Sequence, residues 1–208
     1  NVPVLEDVDS DGDLDLFVGV LGGAFNPNLT TTRNFHFYEQ VDGAFIHRTE
    51  RFIYTLDVGS ESIPALADLD GDGDLDLLVA NKLDPDDTQT SRLYHFENVG
   101  SLRAPSFEQR AHIPLFTMYH YAPALGDLDG DGDLDMLVGT WNRGVALYIN
   151  QGTREEPEFV LQDTTFVRLT RGSNSAPALT DVDGDGDLDL FIGESSGELN
   201  FYRNVGSR

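Results

Sequence analysis

Short apolar runs of strand length alternate with polar, glycine-rich turns along the chain, and no stretch carries apolar residues at helical spacing over several turns. The clearest runs are Leu14 to Gly19, Leu75 to Ala80, Leu134 to Gly139 and Leu188 to Gly193, each of which predicts a strand. A proline-led segment precedes each run: Pro64-Ala65-Leu66, Pro123-Ala124-Leu125 and Pro177-Ala178-Leu179 match one another, and Pro3 takes the same place in the first copy. An aromatic and β-branched stretch follows, at Phe35 to Tyr38, Leu93 to Phe96, Val145 to Ile149 and Leu199 to Tyr202. Three copies add a further segment, Ala44 to Ile46, Pro105 to Phe107 and Pro157 to Val160, beyond a turn rich in Gly or Asn. Four short strands in each unit of about 55 to 60 residues predict an all-β fold. Its architecture is a β-propeller-type array of four-stranded antiparallel blades, with four repeats of which the last is incomplete.

Asp-rich segments mark the same point in every repeat, beginning at Asp7, Asp68, Asp127 and Asp181, with starts 61, 59 and 54 residues apart. The repeats run over approximately 1–60, 61–119, 120–173 and 174–208, and are expected to form a single propeller-type domain over 1–208. Asn1 to Asp7 aligns with Ser175 to Asp181, the first strand of a repeat, whereas Arg208 falls where the third repeat is only beginning its fourth strand. A longer propeller, or another chain covering the open edge, is therefore expected, because an unpaired strand edge invites pairing. Asn1 is read as the start of a mature, processed or excised segment.

The Asp-rich segments place an acid at every second position. They are Asp7, Asp9, Asp11, Asp13 and Asp15; Asp68, Asp70, Asp72, Asp74 and Asp76; Asp127, Asp129, Asp131, Asp133 and Asp135; and Asp181, Asp183, Asp185, Asp187 and Asp189. Gly12, Gly73, Gly132 and Gly186 at the sixth position permit a sharp turn, since Gly tolerates positive φ. Carboxylates at positions one, three, five and nine can then point inward, with position seven offering its backbone carbonyl. Such a set suits Ca²⁺, which takes six to eight oxygens at about 2.3 to 2.6 Å, better than Mg²⁺, which prefers a smaller octahedron with retained waters. Two carboxylates about 4 Å apart repel by roughly 1 kcal/mol in bulk water and about 4 kcal/mol at an effective dielectric of 20, so an empty loop is expected to be strained or disordered. Asp and Gly also form solvated turns, but a solvated turn does not require the same alternation in register in four copies. Helix-flanked calcium loops need an acid at position twelve, where this chain has Val18, Val79, Val138 and Ile192 inside strands. The consecutive Gly-Gly-x-Gly units of calcium-binding β-helices are absent. Four Ca²⁺ sites are expected.

Of the 37 acidic residues, 20 lie in these segments, leaving 17 against 13 Lys plus Arg, so the formal net charge of −24 is concentrated at the sites. An acidic chain repels nucleic acid and anionic lipid, and no apolar run reaches the roughly 18 residues of a membrane span. Neither nucleic-acid binding nor membrane insertion is expected. The chain has no cysteine, which excludes disulfides and thiolate metal sites and leaves calcium as the staple.

The run Asp7-Val8-Asp9-Ser10-Asp11-Gly12-Asp13-Leu14-Asp15 and its three copies, each followed by a Leu-Val-Gly-like strand, resemble the FG-GAP or VCBS repeat family. That family supplies the calcium-binding blades of integrin α-subunit heads and of many bacterial secreted proteins, and the resemblance covers all four repeats. It implies that each loop joins the first two strands of a blade and binds Ca²⁺ through positions one, three, five, seven and nine. It also implies an extracellular location, secreted or at the cell surface. Ser10, where the other copies have Gly, lies outside the ligand positions.

In an antiparallel blade the 1-2 and 3-4 turns share one end, and the 2-3 connection lies at the other. That connection is long in the first repeat (Val20 to Asn34) and the second (Asn81 to Arg92), and short in the third (Thr140 to Gly144) and fourth (Glu194 to Gly197). Length variation on a fixed scaffold is where recognition is built, so a protein or glycan ligand is expected on the face opposite the metal loops, with self-association through the open blade edge. Trp141, Tyr119 and Tyr121 could stack on a sugar there or pack between blades. Gly193-Glu194-Ser195-Ser196-Gly197 has the text of a hydrolase elbow, but that elbow needs a strand entering a helix, and a hairpin turn is predicted here. His36, His47, His95, His112 and His120 show no paired ligand spacing. Asp84, Asp86 and Asp87 could hold a further cation or form a solvated loop, and Asn28-Leu29-Thr30 is a glycosylation sequon. A calcium-dependent lyase would need a basic residue beside the metal, and the loops contain no Lys, Arg or His. The expectation is a non-enzymatic, calcium-binding extracellular structural or adhesive repeat protein that assembles between chains into a filament or sheath. The alternative is a carbohydrate-binding propeller, as a lectin or an accessory module of a polysaccharide-degrading enzyme.

Overall fold

The computed structural model describes residues 2–19, 35–48, 58, 61–84, 90–142, 144–170 and 172–206, which hold fifteen strands and no helix. The sequon at Asn28, the connection from Val20 to Asn34, and Asp86 and Asp87 lie outside these residues. The chain divides into two compact units, Asn1–Tyr119 and His120–Arg208.

In the first unit, β1 (Val2–Glu6), β2 (Asp15–Gly19), β3 (Phe35–Val41) and β4 (Ala44–His47) form one sheet in sequence order. A second sheet follows from β5 (Ile63–Ala67), β6 (Asp76–Ala80), β7 (Leu93–Asn98) and β8 (Phe107–Gln109). In the second unit the third sheet is β9 (Ala122–Gly126), β10 (Asp135–Gly139), β11 (Val145–Asn150) and β12 (Phe159–Val167). The fourth has three strands, β13 (Ala176–Thr180), β14 (Asp189–Gly193) and β15 (Leu199–Tyr202). Every pairing is antiparallel. The four sheets are propeller-type blades, the last short of its fourth strand, in agreement with the sequence pattern.

Pro3, Pro64, Pro123 and Pro177 all lie in first strands, facing Val18, Val79, Val138 and Ile192 in register. A first strand has a sheet neighbour on one side only, so a residue without an N–H costs no ladder bond there. The second strands carry the burial. β6 and β10 are buried at every position, as expected of strands covered on both faces.

Within the first unit, Phe17, Phe37, Leu77, Val79 and Phe96 form a buried cluster against which Val4, Leu66 and Phe107 pack. Within the second, Leu137, Val145, Leu190 and Ile192 play the same part, with Ala124, Leu147 and Leu179 packed on them. Blade contact also explains two glycines. A Cβ on Gly19 would lie 1.9 Å from the Ser62 carbonyl oxygen, and one on Gly139 would lie 2.0 Å from that of Ser175. The first strand of the next blade therefore runs directly over the end of the second strand.

Candidate metal centres

Each Asp-rich segment is the turn between the first and second strands of its blade, and it folds around its own carboxylates. In the third loop, the first-position Asp127 accepts from the backbone nitrogens of Gly130 at 2.7 Å and Gly132 at 3.1 Å. Asp181 does the same for Gly184 at 2.8 Å and Gly186 at 3.0 Å, and Asp7 for Asp11 and Gly12, both at 3.1 Å. The fifth-position carboxylates of Asp11, Asp72, Asp131 and Asp185 accept from the backbone nitrogens two residues on, at 2.9 to 3.1 Å. These bonds close the chain only because the fourth and sixth positions take positive φ. The sixth-position glycines lie at 95° to 97°, and at the fourth Gly71, Gly130 and Gly184 lie at 75° to 82°, with Ser10 at 55°.

The ninth-position aspartates, Asp15, Asp76, Asp135 and Asp189, are buried. Their Oδ1 atoms accept from the backbone nitrogens of Gln40 (2.9 Å), Asn98, Asn150 and Asn204 (2.8 Å each), at the ends of the third strands. In the last three blades Oδ2 accepts from the second loop residue: Leu69 at 3.0 Å, Leu128 at 3.0 Å and Val182 at 3.3 Å. One carboxylate thus bolts each loop to its sheet.

Three carboxylates in each loop also converge, at positions one, three and five in the first, second and fourth loops and at one, three and nine in the third. Carboxylate oxygens of Asp7, Asp9 and Asp11 lie within 4.8 Å of one another, as do those of Asp68, Asp70 and Asp72, of Asp127, Asp129 and Asp135, and of Asp181, Asp183 and Asp185. Several oxygens in the loops are sealed from water without a hydrogen-bond donor: Oδ1 of Asp9, Oδ1 of Asp74 and Oδ1 of Asp133. Buried acceptors of this kind are costly unless something electropositive reaches them. A hard divalent cation fits the all-oxygen set. The seventh-position side chains of Asp74 and Asp133 therefore lie within the loop rather than in solvent, which the expectation of a backbone-carbonyl contribution did not include.

The acidity of the loops reflects the same crowding. Burial pushes the Asp76 carboxyl up to about 7 against the hydrogen bonds from Asn98 and Leu69. Burial, reinforced by Asp72, Asp70 and Asp68, takes Asp74 up to about 6, and burial takes Asp15 to about 6. Asp9 is raised by burial and then by Asp11, and Asp135 by burial.

Other residues fall out differently. Tyr121 is buried and offers no stacking face, whereas Trp141 is 38 % exposed and Tyr119 40 % exposed. Asp84 is buried and held by the Tyr94 hydroxyl at 2.8 Å and Arg92 Nε at 3.1 Å, so its charge is already matched. The Gly193 to Gly197 segment is the β14–β15 hairpin, with Glu194 accepting from the backbone nitrogens of Ser196 and Glu198. His36 and His47, unpaired by sequence spacing, meet across β3 and β4, with Nδ1 to Nε2 at 3.1 Å. A basic group does reach one loop from outside it: Arg203 Nη2 contacts Asp183 and lies 3.8 Å from Asp185 Oδ2. Aligning the ends of the third strands would have singled that residue out.

Acidic turns of one design, each closing the first hairpin of an antiparallel blade, define a class of repeat propeller-type proteins. The family model for the FG-GAP-like repeat matches residues 7–79, 68–138 and 127–192, and the chain belongs to this family. No curated protein matches it. Among the described residues no helix is long and apolar enough to cross a membrane.

Proposed function

We propose that this chain is a calcium-binding, non-enzymatic extracellular repeat protein with a structural or adhesive role, in which the ions rigidify the first hairpin of each blade. The observation that carries this reading is the set of buried loop oxygens without donors, on Asp9, Asp74 and Asp133, beside carboxylates gathered within 4.8 Å. A bound cation supplies the charge neutralisation, and the aspartates at positions one, three, five and nine, with the seventh, supply the oxygens. Because the ninth position also holds the end of the third strand, order at the loop is passed into the sheet. Membership of the FG-GAP-like family supports both the metal and the extracellular setting. The test is thermal unfolding during titration with a calcium chelator. A fall in Tm of several degrees, restored by calcium and not by magnesium at equal concentration, is expected; an unchanged Tm would sink the reading.

Contact with other chains is proposed through the apolar surface of β15, where Leu199 and Phe201 are 69 % and 49 % exposed. Exposed apolar surface marks association sites, and negative-stain microscopy would reveal the filament or sheath that such contact builds. A second reading, carbohydrate binding on the face opposite the loops, rests on Trp141, exposed in the β10–β11 connection. A glycan array probed with calcium present separates the two: binding that is lost in Trp141→Ala favours the second.

A further inference from the structure

The residue just before the backbone nitrogen that each ninth-position aspartate captures occupies one structural place in all four blades. That place is filled by Glu39, Glu97, Ile149 and Arg203, which precede Gln40, Asn98, Asn150 and Asn204. Its neighbour is the metal loop. Glu39 and Glu97 are set beside their loops because the next residues, Gln40 and Asn98, donate to Asp15 and Asp76. Arg203, with the opposite charge, reaches Asp183 and Asp185, the third and fifth positions of the fourth loop.

We propose that this position sets the calcium affinity of each loop, and that Arg203 makes the fourth loop the weak site that fills last and empties first. The inference rests on the calcium reading above. Two independent observations carry it. A guanidinium already partners two of the carboxylates that would hold the ion, so binding there must displace it or proceed beside it. A unit charge left within about 5 Å of a divalent ion weakens binding on the order of tenfold even at the dielectric of water. The fourth loop is also the most open: Asp181, Asp183 and Asp185 are all exposed, whereas each of the other three clusters includes partly or fully buried members. Solvent and salt screen the attraction of its carboxylates for a cation more strongly.

In the first two blades the same position adds a carboxylate rather than a cation. Arg48 Nε meets Glu39 at 3.1 Å and Arg110 Nη2 meets Glu97 at 2.8 Å. Each glutamate's charge is therefore matched by a basic partner, and neither loop carries an unmatched cation at this place. The third blade, with Ile149, is neutral at this place. The expected order of affinity has the loops beside Glu39, Glu97 and Ile149 ahead of the loop beside Arg203.

Calorimetric calcium titration of the intact chain, with native mass spectrometry to count bound ions, tests this. Three tighter steps and one weaker by about tenfold or more are expected. Arg203→Ile should tighten the weak step toward that of the third loop, and Arg203→Glu should carry it further, without moving the other three. Asp181→Asn should abolish the weak step alone, and Ile149→Arg should create a second weak one. Retention of the tight steps reports that each variant is folded. A weak step unmoved by Arg203→Ile, or surviving Asp181→Asn, would overturn the role of Arg203 while leaving calcium binding intact. Absence of any bound ion would overturn both.

Discussion

Oδ1 of Asp76 accepts the backbone N–H of Asn98 at 2.8 Å while its Oδ2 accepts that of Leu69 at 3.0 Å, so one buried carboxylate ties the loop after β5 to the end of β7. Asp76→Ala would strand both donors in a site closed to water, since Asp76 is 1 % exposed. Leaving two buried N–H groups unsatisfied costs about 2 to 4 kcal/mol. Urea unfolding in the presence of a chelator, which removes any metal contribution, should show that loss, and a change below about 0.5 kcal/mol would contradict the role assigned to this carboxylate.

Ser10 holds a φ of 55° where the other loops have glycines at 75° to 82°. A non-glycine residue in this region costs about 1 to 2 kcal/mol, and glycine returns part of that through the entropy of the unfolded chain. Ser10→Gly is therefore expected to stabilise the first blade by about 0.5 kcal/mol, seen as a small rise in Tm. A lower Tm would mean that the serine side chain has a task in the loop.

Glycines at two kinds of place should respond differently to alanine. At Gly12 a Cβ would meet nothing within 4 Å, and only the φ of 97° opposes it. At Gly139 it would meet the Ser175 carbonyl oxygen at 2.0 Å and the Pro177 ring at 2.7 Å. Gly12→Ala should cost about 1 kcal/mol of backbone strain. Gly139→Ala should cost about 3 kcal/mol, because the β13 backbone must move away from β10. Equal losses in denaturant unfolding would refute the account of close blade contact.

The blades could be read from sequence because local signals agree with the fold. Prolines sit in strands with one sheet neighbour, apolar runs match strands buried on both faces, and the acidic loops repeat in register. What escaped the reading depends on register between strands. His36 and His47 meet because Tyr38 pairs with His47, which makes the histidines a diagonal pair that spacing along the chain does not reveal. Arg203 escaped for a related reason: it lies outside the acidic loop, and only the pairing of β14 with β15 carries it there. Asp84 looked like a free acid because Arg92 and Tyr94, which match it, lie just before and within β7, beyond the intervening connection.

The crowded loops should also make stability depend on pH in a direction that calcium reverses. Asp76, with its carboxyl near 7, and Asp74 and Asp15, near 6, hold protons more tightly in the fold than in the unfolded chain. Unfolded Asp titrates at about 3.9, so the metal-free fold binds extra protons between about pH 4 and 7, and its stability rises as pH falls through that window. His95, lowered by burial, and Glu97, Asp131 and Glu194, lowered by hydrogen bonds, oppose this, but Glu6, Asp9, Asp133 and Asp135 are raised as well and act in the same direction as the three. Bound calcium keeps the same carboxylates ionised. Folding then excludes protons, and stability is lost as pH falls. Urea midpoints are therefore expected to be higher at about pH 5 than at about pH 8 in chelator, and the reverse in millimolar calcium. Asp76→Asn should flatten the chelated profile. A chelated protein that weakens steadily from about pH 8 to 5 would show that the loop carboxylates are ionised without a cation, against the electrostatics on which the metal reading depends.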